Sequence, residues 1–244
     1  MQETEFTLLK NIPLTDSVYK MQLCGDTSAI TRPGQFVNLK IDGLFLRRPI
    51  SVCDCVENIL TLVYKVVGKG TKAMAGMRPG TKLSLLTGLG NGYDLSLSGQ
   101  HPVLIGGGVG IPPLYLLAKE LIKEGKDVTV IEGFNTKSEI FLKEDFEALG
   151  CRLLLTTVDG SFGIKGFATD ALPDDYTYFY TCGPEPMLRS VYRATKTSGE
   201  MSFEERMGCG FGACMGCSCK TLTGNIRICK EGPVLKKEVI LWND

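Results

Sequence analysis

Short apolar stretches alternate with Gly, Pro and Asp turns over the first part of the chain, from Glu5 to about Gly88. Pro33-Gly34 and Pro79-Gly80 mark two of the turns. Strands of this length and spacing are typical of an antiparallel barrel or sandwich. The predicted strands are Val18–Leu23, Gln35–Leu39, Leu60–Val67 and Lys82–Leu86.

A different pattern follows Asn91-Gly92-Tyr93-Asp94, where strand-like and helix-like segments alternate. An amphipathic helix is predicted over 112–123, because prolines open its first turn and Gly125 lies just past its end. A helix between two short buried strands forms a βαβ unit of a parallel sheet. The predicted strands are Pro102–Ile105, Val128–Ile131 and Tyr176–Tyr180.

The glycines before this helix predict a nucleotide site, since they let a pyrophosphate approach the backbone at a helix N-terminus. Ile111 departs from the dinucleotide fingerprint, and Glu132 after the second strand favours NAD over NADP, with Lys137 leaving that choice open. A turn after the third strand is expected to line the same crevice, although Cys182 is equally typical of a small buried residue. The candidate NAD-binding residues are Gly106, Gly107, Gly108, Gly110, Cys182, Gly183 and Pro184.

Composition changes this picture little. A chain of 244 residues is expected to form two compact domains and a small appendage. Lys plus Arg equals Asp plus Glu at 27 each, with the charges interspersed, so neither nucleic-acid nor membrane binding is predicted. The first residues lack the features of a signal peptide, and we expect a cytoplasmic protein. His101, the one histidine, is expected at the surface, and no catalytic acid or base is predicted.

The cysteines carry the strongest chemical signal. Of 10 cysteines, five lie between Cys209 and Cys229, and the first three have the C-x4-C-x2-C spacing of plant-type iron-sulfur ligation. The glycines among them fit a loop that folds tightly around a small inorganic core. A zinc site formed for instance by Cys214, Cys217, Cys219 and Cys229, or a disulfide knot, is the alternative. The candidate cluster ligands are Cys209, Cys214, Cys217 and Cys229, with Cys219 as a spare thiol or a substitute ligand.

Two segments of the predicted barrel suggest a dinucleotide with two phosphates. Arg48, followed by Pro49, Ile50 and Ser51, offers a guanidinium whose fork of donors matches phosphate. Gly70 and Thr71 are expected to open a short helix capped by Thr71, whose free N–H groups form an anion site. Each segment alone is more typical of an ordinary strand or a capped turn, and only their combination favours a flavin dinucleotide.

These motifs, in this order, resemble the ferredoxin reductase superfamily over nearly the whole chain. Within it, Leu46–Ser51, Glu204–Gly210 and Cys229–Val234 are most similar to the family of electron transfer subunits of type B dihydroorotate dehydrogenase. The resemblance implies an α+β multidomain protein. It implies an antiparallel β-barrel FAD domain over 1–97, an α/β parallel-sheet NAD domain over 98–200, and a small C-terminal [2Fe-2S] cluster domain over 201–244.

The resemblance also implies the cofactors and the partner. An FMN-containing catalytic subunit, in a heterotetramer of two of each chain, would oxidise dihydroorotate for pyrimidine (UMP) biosynthesis, and its electrons would cross the cluster and FAD to NAD. Ile50 departs from the aromatic residue common in the superfamily, so ring stacking is not expected there. The implied FAD contacts are Arg48, Pro49, Ile50, Ser51, Val63, Tyr64, Lys65, Gly70 and Thr71.

Two other functions stay open at this point. One is a subunit of a sulfide dehydrogenase or of an NAD(P)H:ferredoxin oxidoreductase, which shares the glycine and cysteine motifs. The other is a non-catalytic iron-sulfur sensor module. The flavin motif at Arg48–Ser51 argues against a sensor, because holding a cluster requires no hydride chemistry.

Overall fold

A computed structural model describes residues 1–242. Residues 243 and 244, the end of the predicted 201–244 domain, lie outside the described residues. Of the helices within 1–242, none has the length and apolar content that crossing a membrane requires.

Six antiparallel strands close the predicted barrel, in the order β1-β2-β5-β4-β3-β6. Alternate side chains point inward and form its core, including Phe6, Leu8 and Leu62. β1 was not predicted as a whole, because its inward apolar residues are few and its exposed positions mix polar residues with Leu9 and Ile12. The strands are β1 (Gln2–Pro13), β2 (Val18–Cys24), β3 (Phe36–Leu39), β4 (Arg48–Val56), β5 (Ile59–Lys65) and β6 (Lys82–Leu89), with helix α1 (Lys69–Ala75) between β5 and β6.

The rest of the chain builds a second sheet and a small hairpin. Its helices are α2 (Pro112–Lys123), α3 (Lys143–Ala148) and α4 (Glu185–Ala194). Short 3-10 turns cover Leu95–Leu97, Gly108–Gly110, Lys137–Glu139, Ala168–Ala171 and Lys237–Val239. The strands are β7 (Pro102–Gly107), β8 (Thr129–Phe134), β9 (Arg152–Thr157), β10 (Ile164–Lys165), β11 (Tyr178–Cys182), β12 (Gly199–Ser202), β13 (Ser218–Thr221), β14 (Gly224–Arg227) and β15 (Val234–Lys236).

The sheet has seven strands in the order β10-β9-β8-β7-β11-β12-β15, parallel except for the β12–β15 pair. Its two faces are covered separately. Leu104 on one face packs with Leu117 of α2, while Ile105 on the other packs with Leu188 of α4. Truncating such a buried leucine typically costs about 2–5 kcal/mol, so both helices fix the sheet. The predicted parallel-sheet domain is confirmed.

The C-terminal segment leaves this sheet and returns to it. β12 runs across the predicted boundary between residues 200 and 201, and β15 pairs with β12. The cysteines lie in the excursion between these strands, with the hairpin β13–β14. The cluster-bearing segment is therefore anchored at both ends in the nucleotide-domain sheet, and the exact domain boundaries stay a prediction.

The linker after the barrel is tied to both other regions. The Asn91 side chain donates to Val234 O (2.7 Å) and accepts from Val234 N–H (3.1 Å). The Tyr93 hydroxyl donates to Thr181 O (3.2 Å). The Asp94 N–H donates to Glu200 Oε2 (2.9 Å). These contacts hold the barrel, the sheet and the C-terminal segment in one arrangement.

Candidate functional site

The predicted flavin motif lies at the start of β4. Pro49 is the cross-strand partner of Asn38 and Ser51 that of Phe36, whereas Ile50 pairs with Val37 and packs against the barrel core. Pro49 and Ser51 therefore face outward, and Ile50 faces inward by the alternation of a strand.

Arg48 lies directly against Gly70, so the structure brings the two predicted phosphate-binding segments together. A Cβ built on Gly70 would be 1.9 Å from Arg48 Nε, so a larger residue there would displace the Arg48 side chain from its present position. The neighbouring Arg47 has a different role, because it bonds Glu3 Oε1 (2.5 Å) across the barrel surface. Arg48 is the guanidinium beside the glycine loop, and its Nη1 donates to Leu46 O and Arg47 O of its own segment.

Thr71 is not the cap of α1 as predicted. Gly68 is the N-cap residue, and Thr71 sits in the first turn, where its hydroxyl accepts from Val67 N–H (2.9 Å) and Gly68 N–H (3.3 Å). The extended backbone of glycine suits the cap position, and threonine reaches back from within the helix, as in a capping box.

The side chains of the three predicted FAD contacts on β5 lie in different surroundings. Lys65 is exposed, and Val63 packs with Ile111 and Leu114 of the nucleotide domain. Tyr64 is buried in the barrel, and its hydroxyl donates to Asn11 Oδ1 (3.1 Å). Burial raises the pKa of Tyr64 to about 12. The Tyr64 side chain thus serves the barrel core, leaving its backbone for a ligand.

The predicted nucleotide residues do converge. A Cβ on Gly110 would be 2.2 Å from Cys182 O, and one on Gly107 would be 3.4 Å from Pro184 Cδ. Gly183 lies over Gly107, with its added Cβ 3.3 Å from Gly107 N. Gly106 differs from them, because it faces Ile111 beneath the turn. The glycine turn and the loop after β11 therefore meet at the carboxyl ends of β7 and β11, where open sheets bind ligands.

The flavin and nucleotide motifs also meet each other. Helix α2, which follows the glycine turn, packs across β4, and the turn Gly108–Gly110 approaches β5. Lys119 of α2 forms an ion pair with Asp54 of β4 at 3.0 Å. A ligand on the barrel motif and one on the glycine turn would therefore be neighbours.

Glu132 cannot contact a nucleotide from its position. Its side chain is fully buried in β8, on the same face as Val130 and Phe134, and burial raises its pKa to about 8. Both its carboxylate oxygens lack a hydrogen-bond partner among the described residues. Its expected role in favouring NAD was therefore wrong, because the residue lies inside the sheet packing instead of at the strand end.

The four predicted cluster thiols form two pairs. Cys209 N–H donates to Cys214 Sγ and Cys214 N–H to Cys209 Sγ, both at 3.4 Å. Cys229 N–H donates to Cys217 Sγ at 3.4 Å. Among residues 1–242, no three His, Cys, Asp or Glu side chains gather closely enough for a single metal ion. Two thiolate pairs suit the two irons of a [2Fe-2S] centre better than one tetrahedral zinc ion.

Backbone N–H donors make the less buried pair, Cys209 and Cys214, suitable for metal ligation. Burial by itself would raise the pKa of Cys209, but N–H groups of Phe211, Cys214 and Ala213 lower it to about 6. Burial and the neighbouring Cys217 raise the pKa of Cys229. A metal centre requires thiolates, and the buried pair would ionise as the metal binds. The donor set therefore fits an iron-sulfur cluster.

The remaining cysteines have structural surroundings. Cys219 lies on β13, and its thiol donates to Lys220 O (3.7 Å). Cys53 is buried in the core, and burial raises the pKa of Cys55. The exposed His101 accompanies Asp127 at 3.2 Å, as expected of a surface residue.

Asn38 of β3 joins the cysteine segment to the barrel. Its Nδ2 donates to Cys209 O (3.3 Å), and a Cβ on Gly210 would be 2.4 Å from the same Nδ2. The prediction missed Asn38, whose one signal in the sequence is a polar position within an apolar strand. Since β3 pairs with β4, the cluster segment lies one strand away from the flavin motif.

Comparison with known families finds matches to two regions of the chain. Residues 104–193 match the oxidoreductase NAD-binding domain. Residues 204–241 match the iron-sulfur cluster binding domain of dihydroorotate dehydrogenase B. The second match covers all four paired cysteines.

The chain is also similar to relatives over nearly its whole length. The chain is 41% identical to the dihydroorotate dehydrogenase B (NAD(+)) electron transfer subunit of Fusobacterium nucleatum, over 96% of each chain. It is 38% identical to that of a Geobacillus species, over 99% of this chain and 100% of the relative.

Solved structures share the fold. A structure of an NADH-dependent reduced ferredoxin-NADP oxidoreductase has a TM-score of 0.87 at 28% identity, and the match covers 97% of this chain and 90% of that one. A ferredoxin NADP+ reductase from Neisseria gonorrhoeae, solved with FAD and NADP, has a TM-score of 0.69 at 19% identity, over 80% of this chain and 90% of that one. The second likeness concerns the fold alone.

Proposed function

Because the chain belongs to the family of dihydroorotate dehydrogenase B (NAD(+)) electron transfer subunits, we propose that it transfers electrons from a catalytic partner to NAD through a [2Fe-2S] cluster and FAD. One observation supports this order above all others. Asn38 of β3 donates to Cys209 O, and β3 pairs with the strand that begins with the flavin motif. The two proposed cofactor sites would thus be neighbours within one subunit.

Cys209, Cys214, Cys217 and Cys229 would hold the cluster in their two pairs. The pair Cys217 and Cys229 is buried, and Cys214 is exposed. The protein would therefore shield the ligands Cys217 and Cys229 from water and leave Cys214 at the surface. Backbone N–H groups directed at sulfur stabilise the negative charge on the ligands, which is one way in which proteins tune such centres.

Arg48, Pro49, Ile50 and Ser51 would bind FAD with the backbone of Val63, Tyr64 and Lys65 and with Gly70 and Thr71. Arg48 supplies a fixed positive charge beside the N–H groups that begin α1, where a pyrophosphate is stabilised. Gly106, Gly107, Gly108 and Gly110, with Cys182, Gly183 and Pro184, would hold NAD beside it. When bound, the flavin exchanges hydride with the nicotinamide and single electrons with the cluster.

The partner would be an FMN-containing dihydroorotate dehydrogenase subunit, in a cytoplasmic heterotetramer of two of each chain. The exposed side of the cysteine segment suits its docking, because Phe211 and Met215 are 42% and 54% exposed beside the exposed Cys214. Phe45, which is 100% exposed, lies in the loop that leads to Arg48. Apolar side chains beside a redox centre near the surface offer the kind of surface that a stable subunit interface covers.

Activity with and without the partner tests the proposal. The reconstituted chain alone is expected to reduce artificial acceptors with NADH and to leave dihydroorotate unoxidised. With the FMN subunit added, dihydroorotate should reduce NAD. Oxidation of dihydroorotate by the chain alone would contradict the proposal, and co-purification with a different redox partner would favour a sulfide dehydrogenase or ferredoxin oxidoreductase complex.

Arg48→Ala tests the flavin site within this scheme. The loss of a charge-assisted contact is expected to weaken FAD binding about tenfold to a hundredfold, while iron content stays constant. Arg78→Ala, an exposed arginine of the same domain, is the control. Loss of iron with retention of flavin would show that the two sites are assigned to the wrong regions.

A further inference from the structure

Asn38 is a buried polar residue between the two proposed cofactor sites. It lies in β3, is 1% exposed, and its neighbours Val37 and Leu39 face the barrel core. By the alternation of a strand, Asn38 points outward on the same face as its cross-strand partner Pro49. The side chain therefore stands beside the flavin motif instead of inside the barrel.

One half of the Asn38 amide is used by the cluster segment. The amino group donates to Cys209 O (3.3 Å), and Gly210 leaves it room because an added Cβ would be 2.4 Å from Nδ2. A carbonyl can only accept a hydrogen bond, so this contact fixes which end of the amide is the amino group. The contact also fixes the backbone of a cluster ligand.

The other half of the amide has no partner. Asn38 Oδ1 is buried and accepts no hydrogen bond from the described residues. Leaving such an acceptor unpaired costs about 1–3 kcal/mol, so a donor from outside the chain is expected there. A planar amide directs its oxygen away from the acceptor of its amino group, which here is the cluster segment.

We propose that Asn38 binds the flavin and positions the cluster at the same time. Its oxygen accepts a hydrogen bond from the isoalloxazine N3–H or a ribityl hydroxyl of FAD held over Pro49 and Ser51, while its amino group holds Cys209. The inference rests on the proposed function, since it requires both cofactors. It makes Asn38 the side chain that sets the distance between them.

Substitution of Asn38 in the reconstituted chain tests this role with two readouts. Asn38→Leu removes both hydrogen bonds at similar volume. We expect the dissociation constant for FAD, measured by flavin fluorescence, to rise about tenfold, as for the loss of one buried hydrogen bond. We also expect the electron paramagnetic resonance spectrum of the reduced cluster to change while iron content stays constant.

Two further variants separate this role from general packing. Asn38→Gln keeps the amide and should restore FAD affinity and the cluster spectrum in part. Thr4→Val removes another buried oxygen that lacks a partner, on β1 of the same barrel, and should change neither readout. If Asn38→Leu does not fold, Asn38→Ser is measured in its place, with changes expected in the same direction.

The outcomes distinguish the inference from the proposed function. A parent chain that binds neither FAD nor a cluster contradicts the proposed function. A different result contradicts the inference alone: the unsubstituted chain binds FAD and the cluster, and the Leu or Ser variant binds FAD with an affinity within about twofold of that chain. Water would then satisfy Asn38 Oδ1. A change in only one of the two readouts also contradicts the bridging role.

Discussion

Cys229 and Cys219 belong to the same segment, yet they lie in different surroundings. Cys229 is buried and paired with Cys217, whereas the Cys219 thiol is directed to Lys220 O on β13. We expect Cys229→Ser to abolish the visible absorption of the cluster and to lower iron content. Cys219→Ser is the matched control and should retain both. Equal iron loss in the two variants would make Cys219 a ligand.

Glu132 gives the protein a predicted pH dependence. Burial raises its pKa from 4.5 to about 8, so the folded chain keeps a proton that the unfolded chain has lost. The free energy of unfolding therefore falls as pH rises from about 4.5 to 8, by up to about 5 kcal/mol. Glu132→Gln should remove most of this fall, measured as thermal midpoints between pH 6 and 9. Glu124→Gln changes an exposed residue and should keep the fall in stability with pH. Equal pH profiles in the unsubstituted chain and both variants would show that Glu132 is ionised in the folded protein.

At the scale of elements, the glycine turn before α2 depends on close backbone contact. A Cβ at Gly110 would be 2.2 Å from Cys182 O, so Gly110→Ala must separate the turn from the loop after β11. We expect NADH binding to weaken about tenfold, equivalent to 1.4 kcal/mol, with FAD and iron contents unchanged. NADH titration of the flavin measures this change.

Gly76→Ala is the control for that experiment. Gly76 has a φ of −84°, and an added Cβ would be 3.6 Å from its nearest neighbour, an ordinary contact. Unchanged NADH affinity in Gly110→Ala would show that the turn and the loop do not form one site.

At the scale of the whole molecule, Asn91 links the barrel linker to β15. Asn91→Ala leaves both the N–H and the carbonyl of Val234 without this partner, which should destabilise the protein by about 1–3 kcal/mol. Thermal unfolding should show the loss, and limited proteolysis should cut the cysteine segment sooner. Asn58→Ala, in the exposed turn between β4 and β5, should change neither. Equal protease resistance in the two variants would mean that the cysteine segment is held by other contacts.

Local patterns in the sequence were enough to predict seven of the described strands and the helices α1 and α2, but not the other eight strands or α3 and α4. The prolines in the first turn of α2 and Gly125 after its end predicted that helix over 112–123, and the structure has it at Pro112–Lys123. β1 was harder to predict, because a strand with few inward apolar residues has weak periodicity. The predicted positions of Thr71 and Glu132 were wrong for another reason. Residue type alone decides neither which residue caps a helix nor whether a carboxylate is buried.

The sequence by itself determined the chemistry of this protein: thiols at iron-sulfur spacing, an arginine and glycines suited to phosphates, and the order of the regions that carry them. These depend on residue type and short spacing, which the chain carries locally. Only the tertiary structure decided which residues are neighbours. The contacts of Gly70 with Arg48, Gly110 with Cys182 and Asn38 with Cys209 join positions far apart in the chain. Such contacts arise from strand pairing and helix packing, and no local pattern records them.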